Sequence, residues 1–477
     1  MTAYNSTMIL AILPEILLLV LGILVLLFDV IWKGEKRRAL GWLTAGGAAL
    51  ISIITLLLGR PGGPQSVFGG MLRFDWLGFA FKQIFLLGTI VTALFMMDIE
   101  KLNRRGQAYA LLLTATLGMS LMASAADLVM LYLAIETTSI PLYVLAGFLL
   151  DDDRSAEAGF KYLLFGAMTS AVLLYGFSLL YGFSGTTSLA SFIGSPSLAL
   201  GLIFLIIVGL GFKISAVPFH FWAPDTYEGS PTPVAGFLST ASKAAGFAVL
   251  LRLFLTAFPQ FVEQWAAVLA VLATVTMTVG NLLALAQKNV KRLLAYSSIA
   301  HAGYILIGVV AASKLGVASV IFYLIAYLLT NLAAFGIVAA FGRVAGSDEI
   351  ASYAGLSRRA PGLAFAMLVA FLSLAGMPPF GGFIAKVLVF TAAVETGWIW
   401  LAVVGVVNSI IGLYYYLTVL KVVYLYRMEG ENEEQYPVTL TRPYALALTA
   451  LSIAILIIGV LFAPWFDSAS IAALNLF

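Results

Sequence analysis

The 477-residue sequence is 62% hydrophobic and only 10% charged, with a mean hydropathy of +1.03. Soluble domains are about 45–50% apolar and about 25% charged, so this composition excludes a water-soluble enzyme and a disordered chain. The sequence contains no cysteine, which excludes disulfides, thiolate metal sites and iron–sulfur clusters held by this chain. The net charge of +3 is too small to indicate a nucleic-acid partner. We therefore expect a polytopic membrane protein.

Apolar runs long enough to cross a bilayer follow one another along the whole chain. A membrane-spanning helix needs about 20 apolar residues. Fourteen runs fit this length. The twelfth is too long for one straight span. It contains Gly376, Pro378 and Pro379, which predict a helix that is broken inside the membrane. The fourth and fifth are separated only by a polar break near Ser124 and Asp127, so they are the two most easily merged. The runs cover residues 8–31, 39–58, 76–97, 106–124, 126–149, 157–183, 198–217, 232–258, 262–286, 293–312, 315–341, 360–396, 398–426 and 443–463.

The basic residues of the loops lie almost entirely on one side, which we call the basic side. If the odd-numbered runs end on the basic side, the loops there hold the clusters of Lys and Arg at 33–38, 101–105, 288–292 and 358–359. The loops on the other side hold only Arg60, Arg73 and Lys314. Short loops rich in Lys and Arg stay in the cytoplasm, so both termini are predicted to lie outside. The first run lacks a basic n-region and a small-residue cleavage site, and we interpret it as a retained helix.

Two interrupted runs, the seventh and the twelfth, each carry one lysine beside the interruption. Lys213 lies five residues before Pro218, and Lys386 lies seven residues after Pro379. A shift of five spans inverts the topology, and paired interrupted helices in inverted halves point to an ion pathway. The predicted fold is all-α, with two inverted five-helix repeats that each contain a broken helix. The predicted segments are a three-helix unit at 1–105, repeats at 106–258 and 259–427, and a loop with a C-terminal helix at 428–477.

Charged residues near the middle of the spans are the strongest functional signal. A charge at the bilayer centre costs at least about 2.5–3.5 kcal/mol, and such groups commonly mark proton relays. By depth, Glu136, Lys213, Lys243 and Lys386 are the candidates. Lys161 and Lys421 lie closer to the surface and can extend to the headgroups. Lys82 and Arg252 are interpreted as snorkelling or structurally paired residues.

Lysine suits a proton path because its charge responds to its surroundings. Burial disfavours the ammonium and a nearby carboxylate favours it, so a buried lysine beside a movable glutamate can change protonation. Arginine never deprotonates and cannot do this. Histidine titrates near neutrality, and the chain has two. His301 lies in the helix equivalent to that of Glu136 and is a candidate relay, whereas His220, just after the first break, is a possible lining residue.

Three segments resemble a known family. The stretch QKNVKRLLAYSSIAHAGYILIG (287–308) resembles the antiporter-like membrane subunits of respiratory complex I and of multisubunit cation/proton antiporters. The stretch HFWAPDTYEGSPTPVAGFLSTASKAAGF (220–247), with its Ser242–Lys243 pair, is similar to one type of complex I subunit rather than to its two larger paralogues. The stretch LSLAGMPPFGGFIAKVLVF (372–390) agrees, and the resemblance covers nearly the whole chain.

The resemblance implies a role for each candidate. Glu136 would be the family's pairing carboxylate and Lys161 its neighbouring lysine. Lys213 would serve the first broken helix, Lys243 the centre, and Lys386 the second broken helix nearest the outer exit. The residues implied for the proton path are thus Glu136, Lys161, Lys213, Lys243, His301 and Lys386, with His220 as a possible lining residue and helix breaks at Pro218, Pro378 and Pro379.

The resemblance also implies a setting. The chain would be a proton-translocating subunit of an NADH:quinone oxidoreductase in a prokaryotic inner membrane, driven by quinone reduction elsewhere in the complex. Flavin, iron–sulfur clusters and quinone would lie on partner subunits, with no cofactor, metal or redox-catalytic residue on this chain. Its partners would be lipid and other membrane subunits of complex I, with no nucleic acid and no homo-oligomer.

Two alternatives remain open at this point. The chain could belong to a cation/proton antiporter driven by ion gradients without quinone chemistry, although the Ser242–Lys243 pair argues against this. It could also be a non-conducting structural subunit. The intact midplane charges argue against that second alternative, because a spacer would gain stability by losing them.

Overall fold

The computed structural model describes residues 6–189, 192–427, 438 and 440–476. Most of the loop predicted to begin at residue 428 lies outside these ranges. The chain forms one short hairpin in the described residues, of strands β1 (Gln65–Val67) and β2 (Leu72–Phe74). The helices are α1 (Ser6–Ala11), α2 (Leu13–Ile31), α3 (Ala39–Leu58), α4 (Trp76–Met96), α5 (Gly106–Ser124), α6 (Leu128–Ala146), α7 (Asp153–Ser184), α8 (Pro196–Ile214), α9 (Trp222–Gly229), α10 (Thr232–Phe237), α11 (Lys243–Ala257), α12 (Val262–Leu285), α13 (Val290–Val310), α14 (Lys314–Ala345), α15 (Leu356–Arg359), α16 (Pro361–Ala375), α17 (Gly381–Glu395), α18 (Ile399–Leu425), α19 (Arg442–Val460) and α20 (Ala463–Ala473).

The all-α polytopic fold predicted from the sequence is confirmed. Within the described residues, thirteen helical stretches are long and apolar enough to cross a membrane, with α10 and α11 joined as one by a π-helical turn. The broken pair α16 and α17 accounts for the remaining predicted run. The fourth and fifth runs are separate helices because Asp127 begins α6, its carboxylate accepting hydrogen bonds from the amides of Val129 (2.9 Å) and Met130 (3.2 Å). The hairpin and the short helix α20 were not predicted.

The two halves repeat with a constant spacing of 161 residues. The helices α7 and α14 are both 32 residues long, and each ends on a left-handed glycine, Gly185 and Gly346. At the same spacing, α5 and α12 end at Ser124 and Leu285. Because this spacing corresponds to five spans, an odd number, the two halves run through the membrane in opposite directions.

The two helix breaks also share their local conformation. The helix α8 ends on left-handed Ser215 and α16 on left-handed Gly376, with φ values of 59° and 84°. Three residues further on, each break has a proline that follows a cis peptide bond, Pro218 or Pro379. A left-handed residue ends a helix and a proline prevents its continuation. Both breaks therefore leave helix ends, and their backbone carbonyls, inside the protein.

The two long helices have different surroundings. The helix α14 is buried along most of its length, packed against α16, α17, α19 and α20. The helix α7 exposes large apolar side chains, including Phe160, Met168 and Tyr175. In the second half, the candidate residues are therefore enclosed by several layers of helices. In the first half, the single helix α7 separates them from the outside.

Candidate functional site

Glu136 and Lys213 line one small cavity together with Ser139 and Ser170. The hydroxyl of Ser170, on α7, donates a hydrogen bond to the Glu136 carboxylate. On α8, the Lys213 ammonium donates to the hydroxyl of Ser139 over 2.9 Å. Since Glu136 and Ser139 are one turn apart on α6, a carboxylate and an ammonium share this cavity, each bound by a serine.

Lys161 has different partners from the one implied by the resemblance. Its ammonium lies 2.6 Å from the carboxylate of Asp225 and 2.6 Å from that of Glu157. Ser170, which contacts Glu136, is nine residues further along α7, or about 13 Å at 1.5 Å per residue. A lysine side chain cannot cover that distance. Lys161, whose side chain is 34% exposed, therefore belongs to a cluster on the basic side, and its ion pairs are with Glu157 and Asp225 rather than with Glu136.

Lys243 links the two halves at the centre of the protein. It is 2% exposed, and its ammonium donates to the carbonyl oxygen (2.9 Å) and the hydroxyl (2.6 Å) of Ser298 on α13. Gly246, one turn along α11, packs against Lys213: a Cβ atom at this position would lie 3.2 Å from Lys213 Cγ. Lys213 thus packs against the face of α11 that carries Gly246 and, one turn earlier, Lys243.

His301 continues the polar line beyond Lys243. Its Nδ1 lies 2.7 Å from the hydroxyl of Tyr323, and its Nε2 lies 3.3 Å from the hydroxyl of Tyr416. The Tyr416 hydroxyl is also hydrogen-bonded to Ser297, next to the Ser298 that binds Lys243. Two adjacent residues of α13 thus reach the two groups: Ser298 binds Lys243, and Ser297 is connected to the imidazole through the Tyr416 hydroxyl.

Lys386 lies at the second helix break. Its ammonium donates to the carbonyl oxygens of Leu374 (3.2 Å) and Ala375 (3.0 Å) and to the hydroxyl of Ser409 (2.8 Å). Those carbonyls end α16, where a helix has unpaired acceptors and a partial negative charge. The ammonium also lies 4.9 Å from the ring centre of Tyr304, which packs edge-to-face against His301. The break thus supplies the acceptors that stabilise a charge at this depth.

His220 lies after the first break, with its ring 4.6 Å from that of Phe221. The side chain is buried, and its Nδ1 atom has no hydrogen-bond partner in the described part of the chain. Burial lowers the pKa of His220 below its usual value. The hydrogen bonds that connect Lys243, His301 and their hydroxyl neighbours do not include His220.

Two further buried cations, Lys82 and Arg252, are paired with carboxylates in the described part of the chain. Lys82 lies 2.8 Å from the Glu15 carboxylate. Arg252 binds Asp75 through two hydrogen bonds of 2.8 and 2.9 Å. Burial alone would raise the pKa of Asp75, but the Arg252 guanidinium outweighs this effect and the pKa is lowered. These pairs connect the N-terminal helices to one another and to the first repeat.

The sequence did not reveal the hydroxyl partners of the lysines. Ser139, Ser298 and Ser409 stand among many serines and threonines in apolar helices, most of which bond to a carbonyl of their own helix. Each of these serines differs from the others only in facing a candidate lysine on another helix. That relation can be recognised only once the packing of the helices is known. Asp225, in the segment APDTYEG, was visible as a charge beside the first break but was not assigned a role.

The described residues contain no group of three or more His, Cys, Asp or Glu side chains that could hold a metal ion. The candidate residues alternate with hydroxyls and carbonyls, an arrangement that suits the movement of protons from group to group.

Residues 125–412 match the family model described as NADH:quinone oxidoreductase/Mrp antiporter, TM. The NADH-quinone oxidoreductase subunit N of Heliobacterium modesticaldum is 45% identical over 93% of this chain and 94% of its own. The NAD(P)H-quinone oxidoreductase subunit 2 of a Synechocystis species is 41% identical over 96% of this chain and 92% of its own.

Solved structures of related proteins agree with these sequence matches. A chain of respiratory complex I from Thermus thermophilus with bound aureothin superposes with a TM-score of 0.81 at 36% identity, covering 95% of this chain and 98% of that one. A chain of the Mrp complex from a Dietzia species has a TM-score of 0.86 at 22% identity, which shows a shared fold. The chain belongs to the NADH:quinone oxidoreductase/Mrp antiporter family of membrane subunits, and within it to the subunit N group, as the sequence motifs predicted.

Proposed function

We propose that this chain moves protons across the membrane through Glu136, Lys213, Lys243, His301 and Lys386, coupled to quinone reduction elsewhere in complex I. The observation that carries the proposal is the kind of partner each lysine has. Lys213, Lys243 and Lys386 are held by neutral oxygens, whereas the structural cations Lys82 and Arg252 are held by carboxylates. A contacting carboxylate fixes the positive charge, and a neutral oxygen does not.

The serine partners suit both protonation states. A hydroxyl has one donor and two acceptor positions and can rotate between them. Ser139, Ser298 and Ser409 can therefore accept a hydrogen bond from an ammonium and donate one to a neutral amine. Each lysine can gain or lose a proton without leaving a buried polar atom unpaired, which is the requirement for a relay group.

The energy for this transport would come from outside the chain. Moving one charge against 100 mV costs about 2.3 kcal/mol, and we propose that flavin, iron–sulfur clusters and quinone lie on partner subunits. We also propose that the basic side faces the cytoplasm, with both termini outside, and that the two repeats occupy 106–258 and 259–427. Lys161 would act at the cytoplasmic side of the path.

The direct test uses Lys213→Met and Lys386→Met in the intact complex, reconstituted into vesicles. We expect proton pumping per quinone reduced to fall severalfold for each variant. Lys421→Met is the matched control, because Lys421 lies near the surface beside the ring of Tyr426. Pumping and electron transfer at wild-type levels in both variants would remove these lysines from the path.

A further inference from the structure

An aromatic stack closes the Glu136–Lys213 cavity towards the basic side. Tyr143 and Phe212 line that end of the cavity. Tyr162 packs edge-to-face on Tyr143, with ring centres 4.7 Å apart, and Trp222 stacks on Tyr162 at 4.3 Å with planes only 11° apart. Tyr162 and Trp222 are 1% and 2% exposed. Rings in face-to-face contact leave no room for a file of water molecules between them.

The helix that carries Trp222 also carries the acidic residues of the basic-side cluster. Asp225, one turn after Trp222 on α9, lies 2.6 Å from the Lys161 ammonium and 2.7 Å from the Arg292 guanidinium. Glu228, one turn further, lies 2.8 Å from Arg292. These ion pairs fix α9 to α7 on one side and to α13 on the other.

These ion pairs help to hold the short helix α9 in place. It has eight residues, and a helix of that length is not stable by itself in water. One end follows the break at Pro218, and the other is followed directly by Ser230 and Pro231. The indole Nε1 of Trp222 donates to the carbonyl of Phe212 over 3.1 Å. The ion pairs are about one third exposed, so water can replace them at moderate cost.

The second half of the protein lacks this arrangement. At the repeat spacing of 161 residues, the position equivalent to Asp225 is Lys386, and the position equivalent to Lys161 is Phe322. The ionic cluster on a short helix therefore occurs once, on the basic side. Because Arg292 lies on α13 together with Ser298 and His301, a shift of α13 would reach α9 directly.

We propose that α9 is a gate between the basic side and the Glu136–Lys213 cavity, with Asp225 as the positioning residue that holds it closed. The ion pairs of Asp225 with Lys161 and Arg292 keep Trp222 stacked on Tyr162. When these pairs separate, Trp222 moves away and water enters the cavity. The role of this gate in proton uptake rests on the proposed function, whereas the access of water to the cavity does not.

The test measures access to the cavity from the basic side. The chain has no cysteine, so Ser139→Cys places a single thiol at the buried serine that binds Lys213. Inverted vesicles carrying the intact complex are treated with a membrane-impermeant maleimide, and labelling of this chain is followed by mass spectrometry. We expect Asp225→Asn to speed labelling roughly fivefold, as the loss of two ion pairs that are about one third exposed predicts. Asp225→Glu should restore slow labelling.

The control removes a similar ion pair from the same side of the protein. Asp348 lies 2.9 Å from Lys291 and is 25% exposed, close to the 33% of Asp225, and its ion pair is with α13 rather than with α9. Labelling of Ser139→Cys should stay slow with Asp348→Asn. Equal labelling rates in Asp225→Asn and Asp348→Asn would overturn the proposal.

If Asp225→Asn does not assemble, Arg292→Gln removes the ion pairs that join Asp225 and Glu228 to α13, and the same two outcomes apply. Labelling does not depend on proton transport. Normal pumping in Lys213→Met would therefore contradict the proposed function without affecting the gate, and unchanged labelling would contradict the gate alone.

Discussion

The Lys386 ammonium donates a 3.0 Å hydrogen bond to the carbonyl oxygen of Ala375, the last residue of the preceding helix α16. The lysine therefore reaches back across the break in its own span. The chain between them turns through Gly376, and a Cβ atom on that glycine would lie 2.8 Å from Lys386 Cδ. The break and the lysine are thus one packed unit.

Gly376→Ala should displace Lys386. The glycine has a φ of 84°, which strains any other residue, and the added methyl group would meet the lysine side chain. We expect pumping per quinone reduced to fall at least as far as in Lys386→Met. The control is Gly362→Ala, also on α16, where a Cβ atom meets nothing within 4 Å. Normal coupling in Gly376→Ala would show that the position of Lys386 does not matter.

Ser298→Ala should weaken the central step. It removes the hydroxyl that lies 2.6 Å from Lys243 and leaves only a carbonyl, which cannot donate to a neutral amine. We expect coupled pumping to fall by about tenfold, since a hydrogen bond to a charged group contributes about 1.5–3 kcal/mol. Ser452→Ala is the control, because Ser452 is buried but bonds only within its own helix. Pumping and quinone reduction are measured on the same vesicles.

Gly246→Ala should separate Lys213 from Lys243. The new methyl group would lie 3.2 Å from Lys213 Cγ and 2.8 Å from Ile214 Cγ2, so Lys213 must move. We expect partial loss of pumping with the complex still assembled, measured as protons per quinone reduced. Gly201→Ala, where the added atom meets nothing, should behave as wild type. Identical coupling in both variants would show that the packing of Lys213 against α11 does not matter for transport.

Asp75→Asn should destabilise the protein rather than change its coupling. It leaves the fully buried Arg252 without its carboxylate partner, and breaking a buried ion pair costs about 3–5 kcal/mol. The thermal midpoint of the solubilised complex should fall, while pumping per quinone reduced should remain normal at low temperature. A fall in that ratio would place Asp75 in the transport path.

The pH dependence of this stability has a definite sign. The folded protein lowers the pKa of Asp75 below its ordinary value of 3.8, so the stabilisation is present above that value and is lost as the pH falls through the lowered one. The difference in thermal midpoint between wild type and Asp75→Asn should therefore stay constant through the neutral range. A difference that shrinks near neutrality would mean that the pair is not intact in the membrane.

Hydrophobic runs and loop charges were enough to predict the spans and both broken helices. They sufficed because each span must hide its backbone from lipid within itself, so the signal is local. The partners of Lys213 and Lys386 are not local: Ser139 lies 74 residues from one, and Ser409 lies 23 residues from the other. Lys161 shows the limit most clearly. The resemblance placed it next to Glu136, but helix packing directs it to Asp225.

The exposed side of α7 has a physical consequence for the whole molecule. Phe160, Met168 and Tyr175 must be covered by acyl chains or by a neighbouring subunit, because a large apolar area is not stable in water. The inner side of the same helix carries Ser170, which binds Glu136. Only the helix α7 thus separates the Glu136 carboxylate from the lipid or subunit outside. In the second half, the equivalent helix α14 is itself buried in protein. Lipid composition and detergent choice should accordingly affect the two halves unequally.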